Sequence, residues 1–250
     1  MLTSQRHAHI LDRLSRDGQI VATRLALELG LSEDTIRRDL RELAGEGKLK
    51  RVHGGALPLS PDLPDLAERE TIAADVKQAL GRRAAALIAP GMVVFLDGGS
   101  TNAALVSALP RSLTVTIVTH SPTIAAALAG HDAEVILLGG RLYKHSMVTT
   151  GAAVVEALAA LRVDLFFLGA TALHPVHGAT TGDYEEAQVK RAIAARADAT
   201  WLMAAEPKFD RVSPHRILPL ADLQGLVIPA GLEEARISPY AEAGLEIVTA

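Results

Sequence analysis

The sequence predicts a mixed α/β chain in two parts: an N-terminal winged helix-turn-helix and a C-terminal Rossmann-like, doubly wound domain. Three observations carry that expectation. The first 57 residues hold three short helical patterns, a short basic strand and the pair Gly54-Gly55. From about residue 90 onward, continuous apolar runs alternate with helical patterns, the signature of a parallel sheet covered on both faces. The charge is divided between the same two parts. Residues 1–57 hold ten Lys/Arg against eight Asp/Glu, a net of +2, whereas residues 58–250 hold 15 against 21, a net of −6.

A length of 250 residues suits a small module joined to a larger one. The chain is 49% hydrophobic, ample for a core, and 22% charged, ordinary for a soluble protein. Aromatic residues make up 3%, which argues against single-strand nucleic-acid binding, because that mode needs stacking platforms. No run of eighteen apolar residues occurs, so no membrane helix is expected. The stretch from Met1 to Arg6 lacks the apolar centre of a signal peptide. The absence of cysteine excludes disulfides and thiolate chemistry. A cytoplasmic protein is the expectation.

In the N-terminal part, residues 5–16 place Ile10, Leu11 and Leu14 on one helical face, and Gly18 stops that helix. A second helix covers about 22–29, with Leu25, Ala26 and Leu29 inward and Gly30 ending it. Ser32 is a good N-cap for a third, with Glu33 and Asp34 in its first turn. Its buried stripe is Ile36, Leu40 and Leu43, at i, i+4 and i+7. Arg38 and Arg41 then fall opposite the stripe, flanked by Arg37 and Thr35. Residues 49–52 read as a strand and Gly54-Gly55 as a tight turn, a wing carrying Lys50, Arg51 and His53. A helix entering the major groove would present such arginines to bases and phosphates. An arginine pair alone is more often a solvated face. The whole unit favours double-stranded DNA, contacted through Ser32, Thr35, Arg37, Arg38, Arg41, Lys50, Arg51, His53 and Gly54.

The pattern Ser32-x-x-Thr35-Ile36-Arg37-Arg38-Asp39-Leu40, then Gly47-x-Leu49-x-Arg51-x-His53-Gly54-Gly55-Ala56, resembles the N-terminal signature of DeoR-type transcriptional regulators. The match covers most of residues 5–56. The resemblance implies a repressor of a sugar-catabolic operon whose third helix reads the operator.

Residues 58–74, with Pro58, Pro61 and Pro64, read as a linker, and 75–250 as the second domain. A helix is expected over 72–89, stopped by Pro90-Gly91. Expected strands are 92–96, 115–119, 134–138, 163–168, 200–203, 225–228 and 246–248. Expected helices are 102–109, 122–129, 152–160, 185–197 and 233–243. Ligands in such folds sit beyond the carboxyl ends of the strands. There the chain places Asp97-Gly98-Gly99-Ser100-Thr101, Thr119-His120-Ser121, Gly139-Gly140-Arg141 and Gly169-Ala170-Thr171. Glycines let backbone N–H groups approach a phosphate, and a helix N-terminus favours an anion. Lys190, four residues after Glu186, and Lys208 could supply charge, although such a Glu/Lys spacing is most often a surface pair.

Residues 75–249 also resemble the effector domain of the same family, which is similar in fold to ribose-5-phosphate isomerase. The resemblance implies a phosphorylated sugar as effector, held at Asp97, Gly98, Gly99, Ser100, Thr101, Thr119, His120, Ser121, Gly139, Gly140, Arg141, Lys190 and Lys208. Two departures stand out. His120 occupies the middle of a usual Thr-Asn-Ser, and Ala205-Glu206-Pro207-Lys208-Phe209 replaces a usual Asp-x-Ser-Lys-Phe.

No histidine falls in a metal-binding spacing, and His174 and His177 read as surface residues of a loop. Neither a metal nor another cofactor is expected. One rival is an isomerase with Asp97, Glu185 or Glu186 as base and Lys190 or Lys208 stabilising an enediolate. A DNA-reading head is hard to explain on such an enzyme. A second rival is a DNA-binding protein whose large domain only oligomerises. One three-helix module buries too little surface for tight operator binding, so a homo-oligomer on paired half-sites is expected.

Overall fold

The computed structural model describes residues 2–57 and 64–250. The N-terminal head begins with α1 (Thr3–Asp17), β1 (Ile20–Val21), α2 (Ala22–Leu29) and α3 (Glu33–Gly45). It closes with β2 (Lys50–Val52) and β3 (Gly55–Leu57). The three strands form a small sheet in the order β1-β3-β2. Apolar side chains spaced along the helices meet in one core, with Ile10, Leu14, Leu25, Ile36, Leu40 and Leu43 all buried. Such burial is the main force holding so small a unit together. Gly55 is required by close approach, since a Cβ there would lie 1.7 Å from the Ile20 carbonyl oxygen.

Two further helices lead into the larger domain, α4 (Leu66–Thr71) and α5 (Ala74–Ala85). The sequence predicted a linker through residue 74 and one helix from 72. Instead Asp65 caps α4 by accepting from the Glu68 N–H at 3.0 Å, and Leu66 is buried beneath it. Pro64 lies just before that cap, where it obstructs no helical bond; Pro58 and Pro61 lie outside the described residues. Ala73 adopts a left-handed conformation, φ 50°, and separates α4 from α5.

The sheet strands and their crossovers follow: β4 (Val93–Leu96), α6 (Ser100–Ala108), β5 (Thr116–Thr119), α7 (Pro122–Ala127) and β6 (Glu134–Leu137). A short hairpin comes next, β7 (Arg141–Tyr143) with β8 (Val148–Thr150), then α8 (Ala152–Leu158) and β9 (Val163–Leu168). After β10 (Ala172–His174), β11 (Gly178–Thr181) and α9 (Tyr184–Ala194) comes β12 (Ala197–Met203). A 3-10 turn at Glu206–Lys208 precedes β13 (His215–Leu218), β14 (Gly225–Ile228), α10 (Glu234–Glu242) and β15 (Glu246–Thr249).

Seven strands form one sheet in the order β15-β14-β12-β9-β4-β5-β6, and every adjacent pair is parallel. Its two faces are covered by separate apolar clusters, one around Phe95 and Phe166 and the other around Leu96 and Phe167. This explains the uninterrupted apolar runs: a strand buried on both sides has no polar face to show. Neither the β7–β8 hairpin nor the antiparallel sheet β10-β11-β13 was expected from the sequence. Strands of three or four residues are too short to show a period.

The domains touch at His177, whose Nε2 lies 3.0 Å from the Gly18 carbonyl oxygen in the head. The expected surface placement of the histidine pair is corrected here. His174 is fully buried, and its Nδ1 accepts from the Val176 N–H at 3.1 Å. It sits at the end of β10, where packing claims it. Among the described residues no helix is long and apolar enough to cross a membrane.

Candidate functional site

The head presents one cationic helix face. Ser32 caps α3 by accepting from the Thr35 N–H at 3.2 Å, and the two hydroxyls lie 2.9 Å apart. The inward side of α3 holds Ile36, Asp39, Leu40 and Leu43. Asp39 is buried but compensated, because Arg6 reaches it with Nε and with Nη2, the latter at 2.8 Å. Burial pushes the Asp39 carboxyl up, but the Arg6 and His7 contacts outweigh it and hold it below the usual range. The ion pair thereby pins α1 to α3. Arg37, Arg38 and Arg41 point outward, and Lys50, Arg51, His53 and Gly54 are exposed on the wing. Arg37 pairs with Glu33 at 2.7 Å, while Arg38 and Arg41 make no hydrogen bond or ion pair with any other described residue. His7, Asp39 and Glu42 place possible ligand atoms within 4.8 Å of one another. The Arg6 guanidinium already holds both Asp39 oxygens, so that cluster is an ion-pair network rather than a metal centre.

The second site lies at the switch point of the large sheet. From β4 the chain proceeds to β5 and β6 on one side, then returns to β9 on the other. A crevice opens beyond the carboxyl ends of β4 and β9, as this topology requires. A cavity of about 600 Å3 occupies it, lined by Gly98, Gly99, Ser100, Thr101, Lys190 and Lys208 among others.

Asp97, fully buried at the end of β4, organises the floor. Its Oδ1 accepts from the Gly98 N–H at 2.7 Å and lies 2.8 Å from His120 Nε2. Its Oδ2 accepts from the Gly169 N–H at 2.8 Å and meets Lys190 Nζ at 3.0 Å. Burial pushes this carboxyl up, but Lys190, His120 and the Gly169 N–H together hold it well below the usual range. Lys190 also donates to the Gly169 carbonyl at 2.7 Å and faces Glu186 at 3.7 Å. Both Glu186 and Lys190 are buried, so this i,i+4 pair is no surface ornament. His120 Nδ1 lies 2.9 Å from the Thr149 carbonyl oxygen, so the ring ties Asp97 to β8. Lys208 donates to the Met203 carbonyl at 3.2 Å. Burial, and then Lys190, Arg69 and Lys77 nearby, push its ammonium down to about 8.

The sequence-predicted residues divide into three groups. Gly98, Gly99, Ser100, Thr101, Lys190 and Lys208 line the cavity. Asp97, Thr119, His120 and Ser121 are buried behind that wall; Thr119 donates its hydroxyl to the Leu96 carbonyl at 2.7 Å, and Ser121 to that of Met147 at 3.0 Å. Gly139, Gly140 and Arg141 are exposed and outside the lining. Arg141 turns to Glu185 instead, because the chain after β6 leaves the crevice to form the β7–β8 hairpin. Sequence reasoning missed Arg69 and Lys77, Asn102, and Tyr143 with His145 on the hairpin. Arg69 and Lys77 lie in or next to the segment expected to be a linker. Asn102, the third residue of α6, was within reach of the switch-point argument.

A DeoR-like helix-turn-helix domain matches residues 6–61, and the DeoR C-terminal sensor domain matches residues 72–229. The chain belongs to the DeoR family of transcriptional regulators. Among curated relatives of this DeoR-family chain, the HTH-type transcriptional regulator GlpR of Haloferax volcanii is 32% identical, over 99% of this chain and 98% of its own. The glycerol-3-phosphate regulon repressor of Haemophilus influenzae is 32% identical, covering 93% and 92% of the two chains. The large domain is also similar to ribose-5-phosphate isomerase A from Neisseria gonorrhoeae, at 16% identity over 55% of this chain and 53% of that one, with a TM-score of 0.41.

Proposed function

We propose that this DeoR-family regulator represses a carbohydrate-catabolic operon from the cytoplasm and is released by a phosphorylated sugar or related metabolite. The observation that carries this reading is the pairing of two cationic surfaces of unlike shape in one chain. On the head, α3 offers unpartnered arginines in the form of a groove-reading helix. In the large domain, a concave site offers desolvated lysines beside the N-terminus of α6, a setting suited to a small anion. Within this reading Gly98, Gly99, Ser100, Thr101, Lys190 and Lys208 contact the effector, while Asp97, Thr119, His120 and Ser121 hold the wall in place. Relatives named as a glycerol-3-phosphate regulon repressor and as a putative aga operon transcriptional repressor agree with it.

The contacts of Asp97 and Glu185 favour binding over catalysis. Asp97 has protein partners on both oxygens and so has no free lone pair aimed at a substrate proton. Glu185 is engaged by Arg141 and Thr150, away from the cavity. The head alone offers few phosphate contacts, so the chain would act as a homo-oligomer on paired half-sites.

Genomic DNA fragments that co-purify with the protein supply an operator for gel-retardation assays, repeated with a panel of phosphorylated sugars. Salt-dependent binding that one of them releases is the expected result. No retarded fragment would overturn the DNA reading, and retardation indifferent to every sugar phosphate would overturn the effector reading.

A further inference from the structure

Part of the cavity wall comes from outside the sheet and its crossover helices. It is made by the segment that follows the head: Pro64, Arg69, Ile72, Ala73 and Lys77. Lys77 holds the end of α4 in place, donating to the carbonyls of Arg69 and Ile72, the second at 2.6 Å. Arg69 reaches from α4 across the opening and donates through Nη2 to the His145 carbonyl on the β7–β8 hairpin at 3.2 Å. Its Nη1 faces the N-terminus of α6, 3.9 Å from where a Cβ at Gly99 would stand.

Two polar atoms of residues that line the cavity are buried without a hydrogen-bond partner among the described residues: Arg69 Nε and Asn102 Oδ1. The first is a donor and the second an acceptor, and both residues line the same cavity. Buried polar groups are nearly always paired, because a lost hydrogen bond to water is otherwise not replaced. An anionic oxygen would satisfy the first and a hydroxyl the second. Charge agrees with that choice, since Arg69, Lys77, Lys190, Lys208 and Arg211 face two carboxylates, Asp183 and Glu186, around the cavity. A guanidinium is also the side chain best shaped to hold a phosphate through two parallel N–H bonds.

We infer that Arg69 is the anion clamp of the effector site and Asn102 its hydroxyl acceptor, so that an occupied cavity fastens α4, and with it the chain leading to the head, onto the large domain. This rests on the reading that the cavity takes a phosphorylated sugar or polyol, and it adds how that ligand is read and where its signal leaves. The left-handed Ala73 marks the joint. On its far side α5 packs closely on α6, where a Cβ at Gly81 would meet the Ala104 backbone at 2.6 Å. A rearrangement on binding would therefore fall on α4 rather than on α5. A ligand that binds the fastened arrangement better than the loose one shifts the population of head positions.

The test uses full-length protein, titrated calorimetrically with inorganic phosphate, glycerol 3-phosphate and glucose 6-phosphate, together with amide hydrogen exchange over residues 66–71. Wild-type protein should bind at least one of the two organic phosphates, more tightly than inorganic phosphate, and the α4 amides should gain protection. Arg69→Gln should weaken that binding at least tenfold and abolish the added protection, while the protein still unfolds cooperatively and still retards operator DNA without ligand. Arg69→Lys, which keeps the charge but not the fork, should fall between the two and serves if the glutamine variant folds poorly. Full-strength binding by the variants would overturn the clamp and leave the cavity reading intact, as would tight binding that leaves α4 unprotected. Wild-type protein that binds none of the three would overturn both.

Discussion

The head and the large domain each bury a carboxylate under basic partners, and the difference between the two arrangements separates structure from function. Asp39 is sealed between α1 and α3, its guanidinium partner Arg6 is itself buried, and neither lines the cavity of the large domain. That network joins two helices and leaves Arg38 and Arg41 exposed on the opposite side of α3. Asp97 is sealed too, but one of its partners, Lys190, also lines a cavity, with Lys208 beside it. Here the ion pair and the cavity lining share Lys190. Exposed cations suit DNA, whose phosphates are themselves solvated and whose binding releases counterions. Desolvated cations suit a small anion that can enter the low-dielectric space and replace the missing water.

Removing the buried carboxylates tests this contrast most severely. Asp97→Ala leaves Lys190 and His120 facing each other in the floor, and should cost about 3–5 kcal/mol in denaturant unfolding of the large domain. Asp39→Ala should cost the head a comparable amount and abolish operator binding, whereas Asp97→Ala should spare the head. Equal losses of DNA affinity in both would erase the distinction.

The exposed arginines come next. Arg38→Ala should weaken operator binding by about 1–3 kcal/mol if it reads a base, or flatten the salt dependence if it meets a phosphate. Its unfolding midpoint should stay put, because the side chain has no partner to lose. Unchanged retardation at physiological salt would remove Arg38 from the contact face.

A pH titration sharpens the other half of the comparison. The Lys208 ammonium is pushed down to about 8, so it loses its charge over a range where the head arginines keep theirs. Affinity for a phosphorylated ligand should fall as pH rises through 8, by about tenfold between pH 7 and 9 if only the ammonium form binds. Lys208→Met should bind weakly at every pH and show no such fall. Stability without ligand moves the other way. The folded form holds this proton less tightly than the unfolded chain, so folding should become more favourable from about pH 8 up to the ordinary lysine value of 10.5. A flat binding profile in wild-type protein would detach Lys208 from the ligand.

The smallest effect belongs to Arg37. Its pair with Glu33 is exposed and follows the i,i+4 spacing, so Arg37→Ala should shift head stability by only about 0.3–0.5 kcal/mol. A loss of several times that amount would mean that the helix face is structural, not free for DNA.

Much of this is legible in the sequence alone. Ser32, the stripe Ile36-Leu40-Leu43 and the arginines opposite it are neighbours along one helix, so the 3.6-residue period displays them directly. The strands of the large sheet announced themselves because both faces are buried. The cavity was legible only in part. Turns that end strands β4 and β9 could be placed at the switch point, but the turn after β6 follows an edge strand and points elsewhere. Nothing local told Gly139-Gly140-Arg141 apart from Asp97-Gly98-Gly99.

By itself the sequence determined what periodicity and local chemistry can encode: which segments are helix or strand, which face of α3 is charged, and where glycine lets the backbone come close. Tertiary structure decided which distant groups meet. It placed His120 and Lys190 on the two oxygens of one carboxylate, buried a histidine expected on a surface loop, and laid a supposed linker across the mouth of the cavity as Arg69. Those outcomes depend on strand order and on the path of the connections, which bring together residues far apart in the chain and leave no trace in the pattern of either one.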